Sequence, residues 1–158
     1  MEADLLVQGQ GMGEAEKTEF LEEFEKERSH SLAAFCVMGG VFSEGIDLKE
    51  ERLIGVIVVG TGLPMVCAEQ EVLKGYFDET EEKGFDFSYQ YPGMNKVLQA
   101  AGRVIRTPED RGVILLLDDR FLRRDHLELF PREWERFQVV NRGNAARCLE
   151  DFWNGREP

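Results

Sequence analysis

Apolar residues along this chain fall into four short runs separated by stretches with a mixed, helix-like spacing. The runs are 4–8 (DLLVQ), 33–38 (AAFCVM), 53–59 (LIGVIVV) and 112–117 (GVILLL). A strand covered on one face alternates apolar with polar, whereas these are nearly continuous. They predict parallel strands buried on both faces. Helical spacing appears over 14–28, where Phe20, Leu21 and Phe24 share a face, and more weakly over 70–82. A third helix is predicted over 95–106 and stopped by Pro108, since proline has no N–H to continue the ladder. Two more are predicted over 132–140 and 145–153. Residues 80–92 (TEEKGFDFSYQYP) are aromatic and turn-rich and predict a loop or short insertion. Strands alternating with helices indicate one α/β domain over 1–158, an open parallel sheet flanked by helices. The first run begins at residue 4, so the sheet is expected to lack an opening strand that a longer chain would supply.

Charge narrows the functions available. The 158 residues carry 31 acidic and 19 basic side chains, a net charge of -12. Such a field repels phosphate and excludes a strong stand-alone nucleic-acid binder. No run approaches the roughly 20 apolar residues of a membrane span, and no basic-then-apolar leader opens the chain. Cys36, Cys67 and Cys148 form no CxxC pair and lie far from His30 and His126. A disulfide framework or zinc site is therefore not expected, and a reducing cytoplasm fits. The cysteines read as small core residues, and Trp134 and Trp153, at helical spacing with Phe137 and Leu149, read as core.

The sharpest chemical pattern is Gln99-Ala-Ala-Gly102-Arg103-Val-Ile-Arg106. On a continuous helix Gln99, Arg103 and Arg106 project from one side, while Val97, Leu98, Ala101, Val104 and Ile105 pack against the sheet. Two guanidiniums so spaced suit a polyphosphate, because each fork bonds two anionic oxygens and stays charged. Their plain alternative is pairing with surface carboxylates. A second pattern, Gly39-Gly40-Val-Phe-Ser43-Glu44-Gly45-Ile-Asp47, follows a strand at the end where open sheets bind ligands. Ser43, Glu44 and Asp47 offer polar groups there, although a tight turn with a polar cap is the simpler reading. Gly9-Gln-Gly11-Met-Gly13 echoes a dinucleotide fingerprint, but Glu14, Glu16 and Glu19 occupy the place of the pyrophosphate and already satisfy the helix dipole. It reads as a loop and helix start. Asp118-Asp119-Arg120 reads as a solvated turn with its own countercharges, rather than a metal pair.

Phe42-Ser-Glu-Gly-Ile-Asp-Leu48 resembles motif V, and Gln99-x-x-Gly-Arg-x-x-Arg106 resembles motif VI, of superfamily 2 helicases. LIGVIVVG running into Gly62-Leu-Pro64, Asp110-Arg-Gly-Val, Leu117-Asp-Asp-Arg120, Leu129-Phe-Pro131-x-x-Trp134 and Phe152-Trp153 are similar to the XPD/DinG group of DNA helicases. The resemblance spans nearly the whole chain and implies a second, C-terminal RecA-like domain. It implies that Arg106 is an arginine finger on the γ-phosphate of ATP, with Arg103 a second phosphate or interdomain contact. Gln99 would position the nucleotide or couple the two walls of the cleft, Gly45 and Asp47 would link the nucleotide cleft to the DNA path, and Ser43 and Glu44 would meet the DNA backbone or the facing domain. No GxxxxGK[ST] loop, no DEAH-like box and none of that group's four iron–sulfur cysteines occurs in this chain. The resemblance therefore implies half an active site. Mg2+ and most of the ATP contacts would come from the first RecA-like domain of the same parent, single-stranded DNA would cross both domains, and the chain alone would be inactive. A non-catalytic interaction module of RecA-like shape, with the acidic helix at 14–28 as its partner face, is the competing expectation. The basic character that DNA needs is expected from elsewhere in the parent or from a local patch such as Arg120, Arg123, Arg124 and Arg132.

Overall fold

The computed structural model describes residues 3–42, 53–105, 107 and 110–155. Two βαβ units build it. In the first, β1 (Ala3–Val7) and β2 (Ser31–Phe35) pair in parallel, Ala3 opposite Ser31 through Val7 opposite Phe35, with α1 (Glu14–Glu22) between them. In the second, β3 (Gly55–Val59) pairs in parallel with β4 (Val113–Leu117), Gly55 opposite Val113 through Val59 opposite Leu117. Between these strands run α2 (Ala68–Glu81) and α3 (Tyr91–Ala101), and beyond β4 come the short α4 (Arg124–Leu127) and α5 (Ala145–Trp153). Parallel strands flanked by helices are thus the architecture, with the ladders of the described residues in two pairs.

The core lies between the second strand pair and α3. Val58, Met94, Val97 and Phe121 are buried together, and Val56, Leu116, Leu129, Phe130 and Trp134 pack around them. The other side of the strands departs from the sequence expectation of burial on both faces. Val58 is 4% exposed, while its neighbours Ile57 and Val59 are 62% and 73% exposed, and Leu5, Val7 and Phe35 are exposed in the same alternating way. The apolar runs are continuous, yet burial alternates along β3, whereas consecutive residues of β2 and β4 are half-buried on both faces.

Several elements differ from their predicted bounds for physical reasons. The predicted helix over 14–28 ends at Glu22 and tightens into a single 3-10 turn, Glu23–Glu25. Its last turn holds no cation to oppose the helix dipole; Arg28 folds back instead, donating to the Glu23 carbonyl and carboxylate and, at 3.2 Å, to Asp4. At the other end the Glu16 carboxylate accepts the Gly13 N–H at 2.7 Å, so the amide that a pyrophosphate would need is taken. Residues 80–92 do not form a loop. Asp86–Gln90 are a π-helical turn leading directly into α3, with the Tyr91 N–H reaching back to the Asp86 carbonyl. The wider turn accommodates Pro92, which cannot donate. It is held by Phe87 stacked on Phe77 (4.6 Å), Phe85 on Tyr89 (5.5 Å) and the Tyr89 hydroxyl on Glu71 (2.6 Å). That bond to a carboxylate pushes the Tyr89 pKa up to about 12.

The predicted helix over 132–140 is reduced to one turn, Arg132–Trp134. Phe137 and Val139 beyond it are exposed, and a short helix without a buried face is not stable. Trp134 does pack on the core, as its spacing suggests. Trp153 and Leu149 do not; they are 40% and 39% exposed, and α5 is instead pinned by Arg111, whose guanidinium lies over the Phe152 and Trp153 rings at 4.7 and 5.4 Å. Nor are the cysteines core residues, since Cys36 is exposed and Cys67 and Cys148 are half-buried.

Candidate functional site

The direction of α3 fixes where the candidate side chains stand. Its first turn lies against the carboxyl end of β3: a Cβ placed on Gly93 would sit 2.7 Å from the Thr61 carbonyl, and one on Gly62 would sit 2.6 Å from the Gly93 carbonyl. Only two glycines permit that approach. Past its far end, Val104 packs against Gly112, which with Ile54 leads into β4 and β3. The helix therefore runs antiparallel to the strands, and its two ends lie roughly 15 Å apart at 1.5 Å per residue.

Gln99 is exposed on the last turn of α3 and Arg103 is half-buried just beyond it. The sequence places both, with Arg106, on one helix face; the helix stops at Ala101 instead. After Gly102 the Arg103 and Val104 amides bond to the Ala100 and Ala101 carbonyls, three residues back, so the last turn tightens and Arg103 leaves the helix on a turn. The single rod presenting both arginines is thus replaced, for Arg103, by a helix end followed by a tight turn. Arg106, Ser43, Glu44, Gly45 and Asp47 lie outside the described residues. The glycine turn ahead of them is present: Gly39 has φ +75°, the Gly40 N–H bonds the Val37 carbonyl at 3.0 Å, and Phe42 is buried, stacked on Phe20 at 4.3 Å.

A different concavity opens at the carboxyl ends of the strands. A cavity of about 370 Å³ is lined by Met38 after β2, by Val59, Gly60, Thr61, Gly62 and Leu63 at the end of β3, by Arg120 after β4, and by Lys96 of α3. The Lys96 stem passes over Gly39, 3.1 Å from where a Cβ would be. Arg120 forms a two-pronged pair with Asp118, Nε to Oδ1 at 2.9 Å and Nη2 to Oδ2 at 2.7 Å, and its own N–H also donates to Oδ1. These bonds hold the Asp118 pKa down to about 2. The reading of this turn as self-neutralised agrees with the geometry. Lys96 has no ion-pair partner among the described residues.

Sequence patterning missed Thr61 and Lys96. A threonine between two glycines after a strand, at the end where open sheets bind ligands, is the signal that points to the first; Lys96 carries no local signal, because α3 brings it to Gly39 from 57 residues away in the chain.

Residues 1–137 match the family described as the helicase C-terminal domain. The chain belongs to that family. This helicase domain is 32% identical over 128 residues to the regulator of telomere elongation helicase 1 homolog of Caenorhabditis elegans, covering 75% of this chain and 13% of that protein. It is 33% identical over 121 residues to the ATP-dependent DNA helicase YoaA of Haemophilus influenzae, covering 75% of this chain and 18% of that one. Among solved structures an XPD helicase superposes with a TM-score of 0.61 at 20% identity, over 78% of this chain and 22% of the other. The helicase domain thus spans less than a fifth of the length of these two relatives. No helix among its described residues is long and apolar enough to cross a membrane.

Proposed function

We propose that the chain is the second RecA-like domain of an ATP-dependent DNA helicase and closes the nucleotide cleft from the side opposite the phosphate-binding loop. The observation that carries this is the family match over 1–137, which includes the Gln99-x-x-Gly-Arg103-x-x-Arg106 segment. Phosphoryl transfer needs positive charge set against the departing γ-phosphoryl group in a closed cleft, and a guanidinium from the opposing wall contributes roughly 10³- to 10⁵-fold. Arg106 is assigned as that finger, Arg103 as a second phosphate contact, and Gln99 as a polar group positioning the nucleotide. Gly45 and Asp47 are assigned to the nucleotide side of the motif V segment, and Ser43 and Glu44 to the DNA side. Mg2+ is assigned to the facing RecA-like domain of the parent protein, where the phosphate-binding loop and acidic box are expected. Single-stranded DNA is the proposed track.

Since each domain holds half of the site, the isolated chain with Mg-ATP should show no hydrolysis above background, with or without single-stranded DNA. The parent sequence ahead of Met1 should encode a GxxxxGK[ST] loop and an acidic box. Measurable turnover by the chain alone, or an unrelated upstream domain, would remove this reading in favour of another nucleotide enzyme or an interaction module.

A further inference from the structure

The connection between α3 and β4, which carries the proposed finger, is closed at its base. Val104 is buried and packs against Gly112, where a Cβ would meet its Cγ1. On the returning side a turn ties the segment to itself. The Thr107 N–H donates to Asp110 Oδ2 at 2.8 Å, and the Asp110 N–H donates to the Thr107 carbonyl at 3.2 Å. The next residue, Arg111, reaches outside the segment. Its guanidinium lies over the Phe152 and Trp153 rings at 4.7 and 5.4 Å, and its Nη2 donates to the Phe152 carbonyl. Those partners belong to α5, which lies beyond residues 1–137 of the family match and buries no residue of its own. No residue of α5 is assigned to nucleotide or DNA.

We infer that α5 braces the finger: Arg111, clamped by Phe152 and Trp153, is a positioning residue for Arg106, five positions earlier in the chain. The ties act in series. Gly112 has no side chain to restrain its backbone and is the natural hinge between the Thr107–Asp110 turn and β4. Fixing Arg111 to α5 locks that hinge, and the turn's own bonds carry the constraint back to Thr107. Only residues 105 and 106 then separate Thr107 from the packed Val104. A transition-state charge must stand in one place, since a displacement of about 1 Å can cost about 100-fold in rate. The inference rests on the proposed role of Arg106 as the finger; the clamp itself rests on the contacts of Arg111.

Two measurements test it. In the isolated 15N-labelled chain, hydrogen exchange at the Thr107 amide reports the turn, and the Val97 amide within α3 is the control. Arg111→Gln should speed Thr107 exchange about 10-fold, the combined weight of a cation–π contact and a charged hydrogen bond, and leave Val97 unchanged. Unchanged Thr107 exchange would overturn the brace. In the parent protein, the same variant should lose about 5- to 10-fold in kcat for DNA-stimulated ATP hydrolysis, with KM for ATP unchanged. That split marks an interaction made in the transition state. Arg111→Lys, which keeps the cation, should recover part of the loss. Leucine at both Phe152 and Trp153 should reproduce it from the side of α5. Normal kcat in Arg111→Gln beside an inactive Arg106→Ala, or a rise in KM alone, would overturn the brace and leave the finger standing. Normal turnover in Arg106→Ala would remove the finger reading itself.

Discussion

Asp118 illustrates how far one residue can be understood from its neighbours in sequence. Arg120 lies two positions on, and a turn brings its fork onto the carboxylate, so self-neutralisation was legible without coordinates. The sign of its pH effect follows. The folded-state pKa lies near 2 against an ordinary 3.8, so the pair's stabilisation is complete above about pH 4 and is lost as pH falls through 2. Arg120 is over a third exposed, which discounts the contribution to about 1 kcal/mol. Urea unfolding should therefore show wild type ahead of Asp118→Asn by about that amount at pH 7, with the gap closing near pH 2. An equal gap at both values would show that the ionised carboxylate contributes nothing. Thr61 is the opposite case. Its burial is imposed by Gly93, 32 positions away, and nothing in the local pattern announces that.

At the scale of elements, the strands were legible and the helix ends were not. All four strands lie within two residues of the apolar runs, apart from a three-residue shift at the end of the second, because a continuous apolar run bounded by glycine or charge has few alternatives. Residues 80–92 misled because glycine, aspartate, serine and proline carry turn propensity, while ring pairs with α2 and the adjacent turn decided for a helix. The end of α3 shifted because Gly102 closes it before Pro108 is reached. The contact of α3 with β3 makes a sharp prediction. Gly93→Ala puts a methyl group 2.7 Å from the Thr61 carbonyl, which costs about 1–3 kcal/mol and also spoils the cavity. Chemical denaturation should show that loss, whereas Gly75→Ala, with open space around its Cβ position, should be neutral or stabilising. Equal behaviour of the two variants would contradict the close packing described.

For the whole molecule, the α/β class followed from the alternation of runs, and the family from two short motifs. The exposed strand positions did not follow, since a sequence shows that residues are apolar and not which polypeptide covers them. Leu5, Val7 and Phe35 on one strand pair, and Ile57 and Val59 on the other, are exposed apolar side chains of the kind that mark interaction surfaces. The isolated chain should accordingly enhance the fluorescence of an apolar dye while keeping its far-ultraviolet helix signal. Asp substitution at both Ile57 and Val59 should reduce that enhancement; no change would show that these side chains are covered in solution.

The central claim is that this chain brings guanidinium charge to a γ-phosphate held by another domain. DNA-stimulated ATP hydrolysis by the parent protein carrying Arg106→Ala, with Arg106→Lys and Arg103→Ala beside it, measures this most directly. Loss of about 10³-fold or more in the Arg106→Ala protein, with incomplete rescue by lysine and unchanged thermal unfolding, is the predicted result. Near-normal turnover in a folded Arg106→Ala protein would contradict it.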